Sequence, residues 1–373
     1  MDYLTKPRQF RSTLLRQYRT TDDSLAVFRI AYALFWLYLL GVPYLAWLSG
    51  NPDFVFISKP FLSWLLSSPP DPLLLHALTF TTFGALTALL LGWRTYWASG
   101  MTTVLLLITQ ALTFSFGKID HTIITVLVPF LLRNTSWGNC YSLDGPVAES
   151  IPQQNGNALL ELAIILGFAY WTAGVVKVFG GWLNQDLVAV YAYCTSFLAR
   201  GDVFFNAYLV RYLPLQEYFL FWKSLDVLTV VFECGFLLAV WHRACLHWYI
   251  PLALLFHLAI GAMLGITFWI HGLVFLAFLP SGQEPRKATG FRNCLKLKLL
   301  VGVSIPILLW LIYFTVSAPL MPEALFSSPL QYLLGHWTAR PDYYLGMLSN
   351  TVVLMIWLRR LFRHRQNPLV DAQ

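Results

Sequence analysis

Ala158-Leu-Leu-Glu-Leu-Ala-Ile-Ile-Leu-Gly-Phe-Ala-Tyr-Trp-Thr-Ala-Gly-Val-Val-Lys177 runs into Val178-Phe179-Gly180-Gly181-Trp182. An apolar run of this length is what a membrane-crossing helix requires. About 20 residues at about 1.5 Å each span a hydrocarbon core of roughly 30 Å. The run ends on Lys177, a residue that is costly against lipid and useful against a cavity or a carboxylate. Desolvation disfavours the charged form of an amine, and a neutral amine is a base. The competing reading is that the long lysine stem snorkels to the interface.

Working outward, the same pattern recurs from end to end. Of 373 residues, 57% are hydrophobic and 12% are charged, against roughly 25% charged in an ordinary soluble domain. Such a deficit excludes a soluble core of this size and predicts an all-α, polytopic transmembrane bundle. The 15 Trp and 18 Tyr suit a chain with many membrane–water interfaces. The first apolar run, near Leu25, is about a full span long. That exceeds a signal-peptide core of roughly 7–15 residues, so a retained helix is expected.

The net charge of +7 is unevenly spread. Lys6, Arg8, Arg11, Arg16 and Arg19 crowd one end, and Arg359, Arg360, Arg363, His364 and Arg365 the other. These charges flank apolar helices, so they read as cytoplasmic anchors facing the bilayer and not as a nucleic-acid site. Cys140, Cys194, Cys234, Cys245 and Cys294 show no C-x-x-C spacing. Neither a disulfide frame nor a metal site is expected.

Spans are read at about 25–49, 73–92, 96–116, 119–133, 157–179, 216–240, 297–317 and 343–362. Residues 182–214 mix aromatics with charges and read as interfacial helices. The stretch 246–280 is too long for one ordinary helix and just enough for a tight pair, with Gly261 or Gly265 at the turn. Placing the N-terminus in the cytoplasm puts Arg94, Arg133 and His242-Arg243 on that face. Arg286, Lys287, Arg292, Lys296 and Lys298 join them if 246–280 crosses twice. The expectation is therefore 9–10 membrane-embedded helices with both termini cytoplasmic. The divisions are a basic segment 1–24, a membrane domain 25–280, and a tail 281–373 holding a basic loop and two further helices separated by a Pro-rich loop.

Polar side chains inside spans are candidates for function, each with a structural alternative. Asp120-His121 opens a span on the same face as the end of 157–179. Asp120 can orient His121, which can accept or relay a proton; a helix cap is the plainer reading. His257 lies mid-span, where an imidazole needs at least one partner; His271 follows in the same stretch. Asp226 and Glu233 are seven apart on one helix face, positioned to pair with Lys177, Lys223 or a histidine. Glu161 is about 24 Å along the helix from Lys177, too far to be its partner. Phosphate loops, H-E-x-x-H and the G-x-S-x-G elbow are absent.

Four patches resemble the HTTM membrane domain, the module shared with vitamin K-dependent gamma-carboxylase. They are Leu25-Ala-Val-Phe-Arg29-Ile-Ala-Tyr, Asp120-His121-Thr-Ile-Ile, Tyr141-Ser142-Leu143-Asp144, and Tyr170-Trp-Thr-Ala173-Gly174-Val175-Val176-Lys177 followed by Trp182. Phe256-His257 is similar to a Phe-His pair in a later carboxylase helix. The resemblance covers roughly 22–280. It implies Lys177 as the catalytic base, His121 and His257 as further site residues, and Asp120 and Trp182 in support; Asp226 and Glu233 join the supporting set from their shared helix face alone. It also implies a reduced, vitamin K-like quinone as cofactor. In the carboxylase, a lysine deprotonates the hydroquinone; reaction with oxygen then yields a strong base that removes a glutamate γ-proton before carbon dioxide adds.

The chain departs from that family in two ways. Val176 stands where the carboxylase has a first lysine. The residues after 280 read as two spans and a loop, so no soluble domain for recognising a propeptide follows. The expectation is an integral membrane HTTM protein, a quinol-dependent carboxylase-like enzyme. The alternative is an accessory protein or membrane-complex subunit, for example in peptide maturation or export, with a peptide substrate or other membrane subunits as partners. A transporter is the weaker third reading, because no inverted repeat stands out.

Overall fold

The computed structural model describes residues 20–37, 70–116, 122–145, 152–201, 205–264, 268–279 and 341–366, with a few isolated positions including Gln17, Tyr18, Leu45 and Ile266. Every regular element among the described residues is helical. Asp120, His121 and the expected span 297–317 lie outside the described residues, as does most of the basic segment 1–24.

Four helices are long and apolar enough to cross a membrane, and by length and composition they mark a membrane protein. They are α2 (Pro72–Leu91), α3 (Thr95–Phe114), α5 (Pro152–Phe179) and α9 (Arg243–Leu264). They match the expected spans 73–92, 96–116 and 157–179 and the first half of 246–280. Helix α8 (Leu215–Ala239) is as long but carries Glu217, Lys223, Asp226 and Glu233. Helix α4 (Thr122–Leu132) has 11 residues, about 16 Å, short of a crossing.

The chain forms two compact units, with the boundary inside α5. In the unit drawn from Arg19–Ala158, α1 (Asp22–Leu34) starts on a Thr21 cap that accepts from the Ser24 amide. Asp71 caps α2 at the Leu73 amide, with Pro72 at the first helical position, where its missing N–H costs nothing. Gly92 ends α2 at φ +67. A Cβ there would meet Arg29 Nη1 at 2.7 Å, so this turn needs glycine twice over. The many hydroxyls of α2 and α3 donate to carbonyls one turn back, as Thr79 does to Leu75 and Ser99 to Thr95. Such bonds spare these hydroxyls an unpaired state in an apolar environment; among the described residues, the buried hydroxyls of Thr87, Thr95 and Thr102 make none.

Arg29 organises this unit. Its side chain is fully buried and donates to the Trp137 carbonyl at 3.0 Å and to that of Tyr141. It thereby ties α1 to the turn around Ser136–Gly138. Tyr32, one turn on, donates to the Thr125 carbonyl at 2.8 Å and draws in α4.

The other unit takes the described residues within Leu159–Pro280 and Asp342–Gln373. Here the expected interfacial stretch 182–214 forms two short helices, α6 (Ala189–Ala199) and α7 (Phe205–Tyr212). After α9, the chain resumes as α10 (Trp269–Phe275) and a 3₁₀ turn, Leu276–Phe278. Together these rise about 16 Å. The stretch 246–280 is thus one full-length helix and one half-length helix. The last described helix, α11 (Pro341–Gln366), packs on α9, with Trp357 Nε1 donating to the His247 carbonyl at 3.0 Å.

Two expectations follow. Arg29→Met leaves two buried carbonyls without a donor and should cost about 3 kcal/mol; chemical denaturation in detergent micelles measures it. Cys140 is buried, and burial, with Asp23 and Asp22 nearby, pushes its thiol up to about 12. At pH 8 it stays protonated, so iodoacetamide should modify the exposed Cys245 well before Cys140, by mass spectrometry of the intact fold.

Candidate functional site

Helix α5 ends where its sequence says it should. Gly181 has φ +80, its amide donates to the Val178 carbonyl at 3.2 Å, and the Trp182 amide donates to the Lys177 carbonyl at 3.1 Å. This pair of bonds around a left-handed glycine is a Schellman motif. Such motifs commonly bring the second residue past the helix onto the residue that receives its bond. Here that contact is the indole of Trp182 against the Lys177 ammonium, 5.4 Å from the ring centroid.

Lys177 does not snorkel to the headgroups. Its Nζ lies 2.6 Å and 2.8 Å from the two carboxylate oxygens of Glu233 on α8. A further 3.5 Å contact reaches the Ala173 carbonyl. The lysine side chain is 23% exposed and the glutamate 8%. The two helices meet closely because the facing residue is glycine. A Cβ on Gly174 would lie 2.6 Å from Cys234 Sγ and 2.9 Å from the Cys234 amide nitrogen. About two turns deeper, Gly167 likewise faces the Leu237 backbone. Small residues at a helix contact in a membrane let backbones approach and side-chain pairs form across them.

Tyr170, Gly174 and Lys177 share one face of α5 at helical spacing. Tyr170 stacks on Phe236 of α8, with centroids 4.3 Å apart and planes 1° from parallel. Its hydroxyl is hydrogen-bonded with Nε2 of His257 on α9. His257 stacks on His271 of α10 at 5.1 Å, and Phe232, Phe256, Phe268 and Phe275 close around these rings. Tyr170, His257 and His271 are all buried. Asn350 of α11 is 1% exposed and has no hydrogen-bond partner among the described residues. It sits against Gly272, next to His271; a Cβ on that glycine would come within 2.8 Å of Asn350 Oδ1.

The structure therefore brings some expected residues together and separates others. Lys177 and Glu233 form one couple, with Trp182 against it. His257 belongs to a second, deeper cluster, partnered by Tyr170. Asp226 does neither: its carboxylate accepts from the Ala189 and Val190 amides at 2.9 Å and 2.8 Å and caps α6. Tyr170 and Asn350 were not anticipated. Tyr170 lies seven residues before Lys177, a same-face spacing that could have flagged it. Asn350 is a lone amide in the apolar run 347–358, a signal as weak as it is short. Among the described residues, no three His, Cys, Asp or Glu side chains lie close enough to share a metal ion.

Chemically, Lys177 and Glu233 form an amine–carboxylate couple with one part-exposed side, inside a low-dielectric setting that strengthens its interactions. Val176 and Phe179 nearby on α5 are strongly exposed, as lipid-facing side chains are. A molecule reaching the couple from the bilayer meets an apolar surface, an indole and a proton-handling pair.

The couple depends on the close helix contact. Gly174→Val pushes its side chain into Cys234 and should destabilise the fold by roughly 1–3 kcal/mol. Thermal unfolding in micelles measures this, and slower-unfolding or unchanged protein would contradict the close contact. Compared with known family models, curated proteins and solved structures, the chain gives no match.

Proposed function

We propose that this chain is an HTTM-type integral membrane enzyme in which Lys177, coupled to Glu233, is the base that takes a proton from a lipid-soluble hydroquinone. The observation that carries the reading is the Lys177–Glu233 pair itself: a lysine with a carboxylate partner at 2.6 Å, at the mouth of a helix contact and still part-exposed. A pair of this kind can hand a proton from amine to carboxylate and back, as general acid–base work requires. The resemblance of Tyr170–Lys177 to the carboxylase segment adds to it. In topology the proposal keeps nine to ten membrane-embedded helices with both termini cytoplasmic; the half-length α10 favours nine full crossings or fewer.

A reduced vitamin K-like quinone supplies reducing electrons when bound, and the residues present fit such a group. The Trp182 ring offers an aromatic face, the exposed Val176 and Phe179 offer an apolar approach, and Lys177 offers a nitrogen within reach of a hydroxyl proton. With its own proton passed to Glu233, the Lys177 amine receives that proton, the protonated Glu233 stands beside the ammonium that results, and Gly174 keeps the two helices close enough for both. Tyr170 and His257 stand one level deeper, where they support the α5–α8–α9 packing.

The second reading is an accessory protein in peptide maturation or export, or a membrane-complex subunit. It draws on the same pair: an ammonium with both carboxylate oxygens in range is also what a helix-fastening ion pair looks like. The two readings part on substitution. With protein in nanodiscs, oxygen uptake driven by a vitamin K-type hydroquinone should fall by about a thousandfold in Lys177→Arg, because guanidinium does not give up its proton. The charge swap Lys177→Glu with Glu233→Lys should restore the unfolding temperature but not the uptake. Uptake that survives Lys177→Arg would end the enzyme reading and leave the accessory one.

A further inference from the structure

The chain from Trp182 to Val190 has no regular structure until α6 begins, yet it is held at five points from one helix. Lys223 Nζ donates to the Trp182 carbonyl at 2.6 Å, the Asn184 carbonyl at 2.6 Å and the Leu187 carbonyl at 2.7 Å. Three donors meet three acceptors, so the ammonium is saturated. Asp226, one turn along α8, lies 3.6 Å from that ammonium and holds the Ala189 and Val190 amides. Its carboxylate is fully buried, and the Lys223 side chain is 14% exposed. A buried cation and anion thus sit side by side, each spending its hydrogen bonds on the same connecting segment.

Trp182 is the first residue of that segment and the one whose indole covers Lys177. Its backbone is fixed at the amide by the Schellman turn on α5 and at the carbonyl by Lys223 on α8. With the backbone of Trp182 fastened on both sides and its indole packed against Tyr193, the ring is directed to the Lys177 ammonium. A lysine ammonium surrounded by carbonyl oxygens is the chemistry of a monovalent-cation site in which the protein supplies its own cation.

We propose that Lys223, with Asp226, is a positioning residue for the Lys177 site: its ammonium organises the 182–190 segment and so holds Trp182 over Lys177. The inference rests on reading Lys177 as the reactive amine only for its functional meaning. The geometry it asserts is tested without any turnover.

The test is amine acetylation of full-length protein in nanodiscs, with modification at each lysine quantified by mass spectrometry. In the unaltered protein, Lys223 should be modified more slowly than Lys177, its three N–H groups being engaged; equal or faster modification of Lys223 would overturn the proposal. Lys223→Ala should speed modification of Lys177 by about fivefold, the scale of a lost cation–π contact, and Trp182→Leu should do the same. The double variant should match either single one. Added methylammonium, filling the carbonyl cage, should return Lys223→Ala towards the original rate and leave Trp182→Leu unmoved. A Lys177 rate within about twofold of the original in Lys223→Ala, additive effects in the double variant, or no methylammonium rescue would each contradict the proposal. Should Lys177 be modified as expected yet prove dispensable for hydroquinone-driven oxygen uptake, the catalytic reading fails and the positioning one stands.

Discussion

An ammonium and a carboxylate facing each other across two helices in an apolar unit set the terms for everything around them. The Lys177–Glu233 pair is held at 2.6 Å where Coulomb attraction is strong but where desolvation of both ions is also expensive. Such a pair survives only with close backbones and satisfied lone pairs. Gly174 supplies the first by letting α5 meet α8 at Cys234; the two lysine–oxygen contacts and the Trp182 ring supply the second. Removing one partner would strand a charge, at a cost of about 3–5 kcal/mol. The pair therefore fixes where α5 and α8 touch as much as that contact fixes the pair.

Behind the pair, the same helix contact continues into the ring cluster. Tyr170 lies flat on Phe236, its hydroxyl meets His257, and His257 lies on His271. Buried polar groups that share hydrogen bonds and stacked faces bind helices together in the absence of a hydrophobic driving force within lipid. α5 contributes Tyr170 to this cluster, α8, α9 and α10 contribute two rings each, and α11 closes on it through Asn350 at Gly272. In the other unit Arg29 plays the corresponding part with backbone carbonyls for partners. Each unit thus holds a basic side chain that ties neighbouring elements together through oxygen acceptors.

Much of this was readable in advance because it is local. The run 158–177 had to be a helix by its apolar length; the left-handed turn that ends it falls at Gly181, in the Gly180-Gly181 pair just after the run. That Lys177 and His257 would each need a partner followed from the expense of unpaired polar groups in an apolar span; which of Asp226 and Glu233 would meet Lys177 did not. What was not readable is long-range. Nothing in the spacing says that Asp226 would spend its carboxylate on the amides of Ala189 and Val190, 37 and 36 residues earlier. Nor could apolar length alone divide 246–280 unequally, because helix breaks between Leu264 and Trp269 reflect tertiary packing as much as composition. Asp120 and His121, expected beside Lys177, lie outside the described residues.

The central claim is that the proton on the Lys177–Glu233 couple moves when a hydroquinone arrives. Isotope-edited infrared difference spectroscopy, with ¹³C placed in glutamate side chains, observes that step at the carboxylate itself. Adding a vitamin K-type hydroquinone under nitrogen should produce a Glu233 carboxylate band shift that disappears in both Glu233→Gln and Lys177→Arg. A hydroquinone that binds, as followed by its own ultraviolet absorbance, while the Glu233 band stays unchanged would contradict the account.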